Sequence, residues 1–409
     1  MKRNIAALVF IFVCTSIAWM ILGGVTSART HDQDTKLKAA VGQLWGTVQM
    51  QNAPYIYYQT KKEIEVTTVR GSETIVEKKV ETLNHPVILE ASDISVDFKL
   101  EYRKKGLLWY SVYKITFDGT YALANTTDRQ RVYFFEYTFP TTEGIYDNFF
   151  LSVDGEKVKE FKPVGGRIVQ GIRIEPGKVK KVRIAYGSQG MDEWWYVFGS
   201  GVSHIRNFKL SMTTDFDKID FSQNSVSPTQ KKMRDKGWEL SWEYDDLISG
   251  IQISIAMPQK VNPGPFVSKV TFFAPISLFL FFFLMFIITT LKGVKIHPMN
   301  FFFIGAAYFS FHLLLAYLAD HVDIYLSLII SSAVSIFLVI SYMRLVVGSR
   351  FAFLETGISQ FVYLVLFSYT FFLTGYTGLA VTALCVVTLF IVMQLTGKID
   401  WAQQFSKSK

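Results

Sequence analysis

His312 is the residue whose chemistry is most out of place in its surroundings. It lies inside Met299–Ala319, a run that is otherwise almost free of ionisable groups. If that run is a helix crossing a bilayer, the imidazole sits about 8 residues, or ~12 Å, below the outer end. Ionisable groups at such depth are costly and face a bundle interior or water. Ser331 and Ser332 of the next apolar run and Thr382 of the last one fall at similar depth. His312, Ser331, Ser332 and Thr382 therefore form a candidate intramembrane polar site. It would be either a proton-responsive or ligand-contacting cavity, or a neutral histidine bonded to a serine to join two helices. Ser327, Ser331 and Ser335 recur at every fourth residue, a small-residue stripe that lets helices approach closely; Ala306 and Ser310 make a shorter one. Glu355, one turn beyond Arg350, reads as half of an interfacial ion pair, and Gln360 as a bridge between helices.

A second candidate is the outer-rim polar loop Asp320, His321 and Asp323. Carboxylate and imidazole suit a divalent ion, yet one tight turn cannot aim all three inward, so an ordinary polar loop is the stronger reading. The third is an aromatic surface, Trp194, Trp195 and Tyr196, on the exported part of the chain; packing inside a sheet is the competing reading. Asp215, Asp217 and Asp220 lack the glycine that sharpens a calcium loop. Asp245-Asp246 reads as a solvated turn. His85 and His204 have no partners at a catalytic spacing. Neither Gly187-Ser188-Gln189-Gly190 nor Gly199-Ser200-Gly201 forms a nucleophile elbow, and there is no phosphate-binding loop or paired-cysteine metal motif. These absences point away from an enzyme, a cofactor or a resident metal.

The elements that carry these residues are mostly membrane spans. A bilayer core of ~30 Å needs ~20 apolar residues in helical form. Val267–Leu291, Met299–Ala319, Ile324–Val346, Phe351–Leu373 and Thr377–Leu395 each reach that length, and Ile5–Leu22 adds a sixth run behind Lys2 and Arg3. That first run is longer than a signal-peptide core, and Thr26-Ser27-Ala28 is a mediocre cleavage site, so a retained helix is expected over a cleaved one. Lys and Arg in short loops resist export. Lys2 and Arg3, Lys292 and Lys295, Arg344 and Arg350, and Lys398, Lys407 and Lys409 all fall on one side of the six alternating spans. The opposite turns, around Asp320–Asp323 and Gly375-Tyr376, hold none. Both termini are thus expected in the cytoplasm of a bacterial cell, with a multi-pass chain in the inner membrane. Cys14 and Cys385, the two cysteines, lie in spans and read as buried thiols; the exported region has none to form a disulfide.

Between the first two spans the chain reads like a soluble protein. Asp34–Trp45 has helical spacing of Leu37, Val41, Leu44 and Trp45, a short amphipathic helix ended by Gly46. Then Asp97–Arg103, Leu107–Ile115, Arg131–Phe139, Asn148–Val153, Val179–Tyr186, Asn207–Thr213, Trp238–Tyr244 and Gly250–Ala256 read as strands. Asp118-Gly119, Asp154-Gly155 and Pro176-Gly177 read as turns. The expected fold is membrane α + β: a six-helix transmembrane protein with a large periplasmic, antiparallel, sandwich-like β-rich domain between helices 1 and 2. The expected segments are 1–28 (first helix), 29–265 (β-rich domain), 266–396 (five-helix bundle) and 397–409 (cytoplasmic tail). Pro258–Pro265, with three prolines, is a stiff connector, and Pro275 either kinks the second helix or marks its start. The net charge of +8 comes without any dense Lys/Arg tract, which argues against nucleic acid as a partner. The lipid bilayer is the expected partner, and an envelope protein or cell-wall component is a further candidate for the sheet domain.

Several of these segments resemble the CreD family of bacterial inner-membrane proteins. Leu44-Trp45-Gly46 with Gln49, Gln51 and Ala53-Pro54 is similar to that family's entry into its periplasmic domain. Arg103-Lys104-Lys105-Gly106 and Tyr110-Ser111-Val112-Tyr113-Lys114 resemble its "RRGI…VPVYRA" strand, with Ser111 in place of the usual proline. Phe302–Gly305, Phe311-His312-Leu313-Leu314-Leu315, His321 and Thr396-Gly397-Lys398-Ile399-Asp400-Trp401 resemble its membrane block and ending. The resemblance implies a non-enzymatic role in cell-envelope integrity or sensing, often under stress-responsive control. The alternative class is a transporter or lipid-handling protein with a polar cavity near His312.

Overall fold

The computed structural model describes residues 2–70, 73–105 and 108–397. Lys398, Lys407 and Lys409, the 398–401 part of the terminal motif, Gly106 and Leu107 lie outside the described residues, as do the side chains of Lys2 and Arg3. Two compact units emerge: Met1–Lys36 with Gly106–Leu108 and Val261–Lys409, and Leu37–Lys105 with Trp109–Lys260.

Six helices among the described residues are long and apolar enough to cross a membrane. They are α1 (Lys2–Trp45), α2 (Pro263–Leu291), α3 (Pro298–Leu318), α4 (Ile324–Val347), α5 (Ser349–Phe372) and α6 (Thr377–Thr396). Five lie wholly in the first unit, and α1 has its Leu37–Trp45 end in the second. Local signals set their ends. His297 and Asp323 accept the backbone N–H of Met299 and Tyr325, capping α3 and α4. Proline stands in the first turn of α2 and α3, where its missing N–H is harmless. Gly348 at φ 91° separates α4 from α5. α2 begins at Pro263, so the stiff connector is shorter than its three prolines suggest and Pro275 lies inside the helix. α5 alone departs from regular winding: Ala352–Gly357 and Phe361–Leu366 are π-helical.

α1 corrects the sequence reading, which placed a separate amphipathic helix at Asp34–Trp45. One uninterrupted helix of 44 residues runs to Trp45, because residues 23–36 contain no proline and their polar side chains tolerate helix geometry in water. Cys14 is also corrected: it is exposed on α1, and Cys385 is half-buried on α6. Both helices bury little of their surface within the chain.

The second unit holds three sheets around one core. The largest has eight strands in the order 230–234, 237–249, 203–214, 91–105, 108–124, 179–191, 146–153, 156–157. A four-stranded sheet runs 73–87, 55–70, 131–138, 167–174, and a three-stranded one 49–52, 193–197, 253–256. The pairs 49–52/193–197 and 91–105/203–214 are parallel, whereas 55–70 pairs antiparallel with 73–87 and 131–138, 203–214 with 237–249, and 179–191 with 108–124 and 146–153. Period-two burial along Ala91–Lys105 turns Ile94, Val96 and Phe98 to the core, as a half-buried strand must. Gln51 joins all three sheets. From the three-stranded sheet its Oε1 accepts the hydroxyls of Tyr137 (2.7 Å) and Tyr186 (2.8 Å), one from each of the others.

Two turns stand where expected, with Asp154, Gly155 and Gly177 at positive φ. Asp118-Gly119 does not turn: Gly119 pairs with Ile184 inside a strand running from Leu108 to Ala124. The Tyr55–Arg70/Glu73–Val87 hairpin was not legible, because past Tyr58 its lysines and glutamates erase the apolar alternation that marks a half-buried strand.

Candidate functional site

His312 is buried on α3, 1 % exposed, but no serine holds it. Its Nδ1 lies 3.4 Å from the carbonyl of Tyr308, one turn back. The ring meets Phe311 edge-on at 4.8 Å and Trp19 of α1 at 5.5 Å, and stacks on Tyr308 at 6.2 Å. An imidazole enclosed by three aromatic rings is packed as part of the core. Ser331 and Ser332 are buried on α4, with Ser332 donating to Leu328 O at 2.6 Å. Thr382 leaves the candidate site altogether. It is exposed on α6 and donates to Gly378 O, since the depth along an axis says nothing about the side of the helix.

The polar groups that do converge were only partly anticipated. Gln360 donates from Nε2 to Ser335 Oγ at 3.0 Å, and Ser335 donates to Ala307 O at 2.7 Å. That links α5, α4 and α3, the bridging role read for Gln360. A second cluster escaped sequence reading. The Tyr308 hydroxyl donates to Tyr363 O at 2.7 Å, Ser277 of α2 bonds both Tyr308 and Tyr363 O, and the Tyr363 hydroxyl pairs with Thr388 of α6 at 2.7 Å. Its available signal was a tyrosine in each of two apolar spans, because a buried phenol has to find a partner. At one end of the bundle Glu355 pairs with Lys292 beyond α2, not with Arg350 as its spacing suggested.

The rim loop divides its residues among structural tasks. Asp320 pairs with Arg29 of α1 at 2.9 Å, Asp323 caps α4, and His321 is exposed. Among the described residues no three His, Cys, Asp or Glu side chains gather as metal ligands.

In the sheet unit, Trp194 and Tyr196 are fully buried in the core, which overturns the aromatic-surface reading. Alternation along Glu193–Val197 leaves Trp195, alone of the three aromatic residues, partly outside, where its Nε1 donates to Glu193 at 2.9 Å. Asp215 accepts the N–H of Leu100 and Asp220 that of Phe221; His85 bonds Thr60 and His204 bonds Asp246. An apolar patch does remain at the surface. Val202 and Ile248 are 74 % and 71 % exposed, and Ile251 joins them at 47 %. They share the end of the antiparallel pair in which His204 faces Ile248.

Helices and sheet unit together match one family model, described as inner membrane protein CreD, over residues 1–402. The chain belongs to the CreD family. It is therefore a multi-pass inner-membrane protein, with its β-rich region between the first and second of six apolar helices. No curated protein matches this CreD-family chain. Among solved structures, a Legionella pneumophila protein described as nutrient binding is 10 % identical, with 47 % of this chain and 71 % of that one covered at TM-score 0.32. An M1 zinc metallopeptidase from Deinococcus radiodurans is 10 % identical, with 41 % and 42 % covered at TM-score 0.21.

Proposed function

We propose that this CreD-family protein is a non-enzymatic envelope-maintenance or envelope-sensing protein whose sheet unit stands on the periplasmic side and contacts an envelope protein or cell-wall component. The observation that carries the reading is the single family match spanning bundle and sheet unit alike. Orientation follows from charge: Lys292 and Lys295 flank one end of the bundle, and the Asp320–Asp323 turn at the other has neither Lys nor Arg. Both termini are then cytoplasmic. The Val202, Ile248 and Ile251 patch supplies a docking surface for the partner, since clustered exposed apolar side chains mark interaction sites. Transport through a cavity at His312 is disfavoured by the rings closed around it.

Orientation is tested with single cysteines in a chain lacking Cys14 and Cys385. Val202→Cys is expected to react with a membrane-impermeant maleimide in cells with a permeabilised outer membrane. Lys295→Cys should react only after lysis, and the reverse pattern overturns the topology. Function is tested by Ile248→Glu with Val202→Asp. The doubly altered chain is expected to reach wild-type abundance yet fail to restore detergent resistance to a strain lacking the protein. Full restoration would remove the patch from the proposal.

A further inference from the structure

Most hydroxyls in these helices follow one habit. Ser327, Ser332, Thr382 and Thr388 each donate to the carbonyl four residues back, the usual way to satisfy Ser and Thr where water is scarce. Like Ser16 of α1 and Thr271 of α2, Ser331 and Thr356 break it. Ser331 and Thr356 are fully buried, and their hydroxyl oxygens have no hydrogen-bond partner among the described residues. The same holds for Oε1 of fully buried Gln360 and for Oε2 of Glu355. These four are not scattered. Glu355, Thr356 and Gln360 follow one another on α5, Gln360 touches Ser335 on α4, and Ser331 is one turn further along α4. At helical rise the file runs ~14 Å, from the Lys292–Glu355 pair to mid-bundle. Because Ser335 bonds Ala307 O, Ser331 comes level with His312 on α3.

Winding supports the same locus. The two π-helical stretches of α5 flank Gln360, and the first contains Glu355 and Thr356. Such widened turns recur at functional sites. A buried oxygen without a partner is expensive in a hydrocarbon surrounding. Four in one file, each able to accept and two also able to donate, match the two to four partners an ordered water seeks.

We propose that the α3–α4–α5 seam is a hydrated half-channel: a file of ordered waters entered at the Lys292–Glu355 rim and ending beside Ser331, at the depth of His312. The serine stripe is then the wall of a water path as well as a packing seam.

Stability separates a wet seam from a dry one by sign. In a dry seam, Thr356→Val and Ser331→Ala each delete an unsatisfied oxygen and raise Tm. In a wet seam they delete a water ligand, and each is expected to lower Tm by ~2–4 °C for the full chain in lipid nanodiscs. Hydroxyl-radical footprinting of the unaltered chain gives an independent readout. Met343 lies on the buried α4 stripe of Ser331 and Ser335, yet water in the seam would label it, and the double substitution should cut that labelling several-fold. An unchanged or raised Tm in both variants, or no labelling of Met343, overturns the half-channel.

Discussion

Gly46→Ala is expected to abolish the folded sheet unit, or to leave it destabilised by roughly 3–5 kcal/mol. Gly46 ends α1 at φ 92°, donating its N–H to Gly42 O at 2.9 Å. Two costs add. A non-glycine residue in this left-handed region is itself strained by about 1–2 kcal/mol. A Cβ there would also fall 2.2 Å from the carbonyl oxygen of Gln189 and 3.1 Å from Cα of Gly190. Both are backbone atoms of the strand Val179–Met191, held there by pairing of Gln189 and Gly190 with Lys114 and Tyr113, so they give way only at the cost of that pairing. Domains are stable by only ~5–15 kcal/mol, so a large share of the total is lost. Gly24→Ala is the control: it lies within α1 with open space around a Cβ, and alanine there should be neutral or slightly stabilising. Monodisperse yield and Tm of the two variants check the prediction. Equal Tm values would show that the α1 terminus is not held as described.

Alkaline pH is expected to unfold the sheet unit cooperatively above pH ~10, the ordinary phenol value. Tyr113, Tyr121, Tyr137, Tyr186 and Tyr196 are all held above that value, chiefly because burial penalises the phenolate. Tyr146 is pushed up to about 12 by partial burial, with the backbone hydrogen bond to Thr141 pulling the other way. A group whose folded pKa is raised contributes stability in full below its unfolded pKa and loses it as pH climbs toward the folded value. Above pH ~10 the unfolded chain releases these protons and the folded one keeps them. Each buried tyrosine then forfeits ~1.4 kcal/mol per pH unit, so five forfeit about 7 kcal/mol by pH ~11, comparable with a whole domain's stability. Phenolate absorbance followed beside circular dichroism should show exposed tyrosines titrating first and the buried set ionising together with loss of structure. Smooth titration of all tyrosines with the sheet signal intact would contradict the burial of this cluster.

The two kinds of chain were unequally legible. Transmembrane spans depend on the run length of apolar residues, a one-dimensional property, and the expected Ile324–Val346 stands as Ile324–Val347. Core strands such as Arg131–Thr138 were legible because one face is greasy and the other wet. Strands that gain stability from partners far along the chain were not. Gln49–Asn52 pairs in parallel with Trp194–Val197, and nothing in four mostly polar residues announces it. Burial of Trp194 and Tyr196, and the exposure of Thr382, likewise depend on which neighbours arrive.

By itself the sequence determined the number of apolar spans, the distribution of Lys and Arg between them and the presence of a cysteine-free β-rich region, since each follows from composition and order along the chain. Only the tertiary structure decided which polar groups meet. Gln360 found Ser335, Gln51 found two tyrosines from other sheets, and Ser331 and Thr356 were left buried without a partner. Hydrogen bonding is a relation over about 3 Å in space, and residue order sets that distance only within a turn or two of helix.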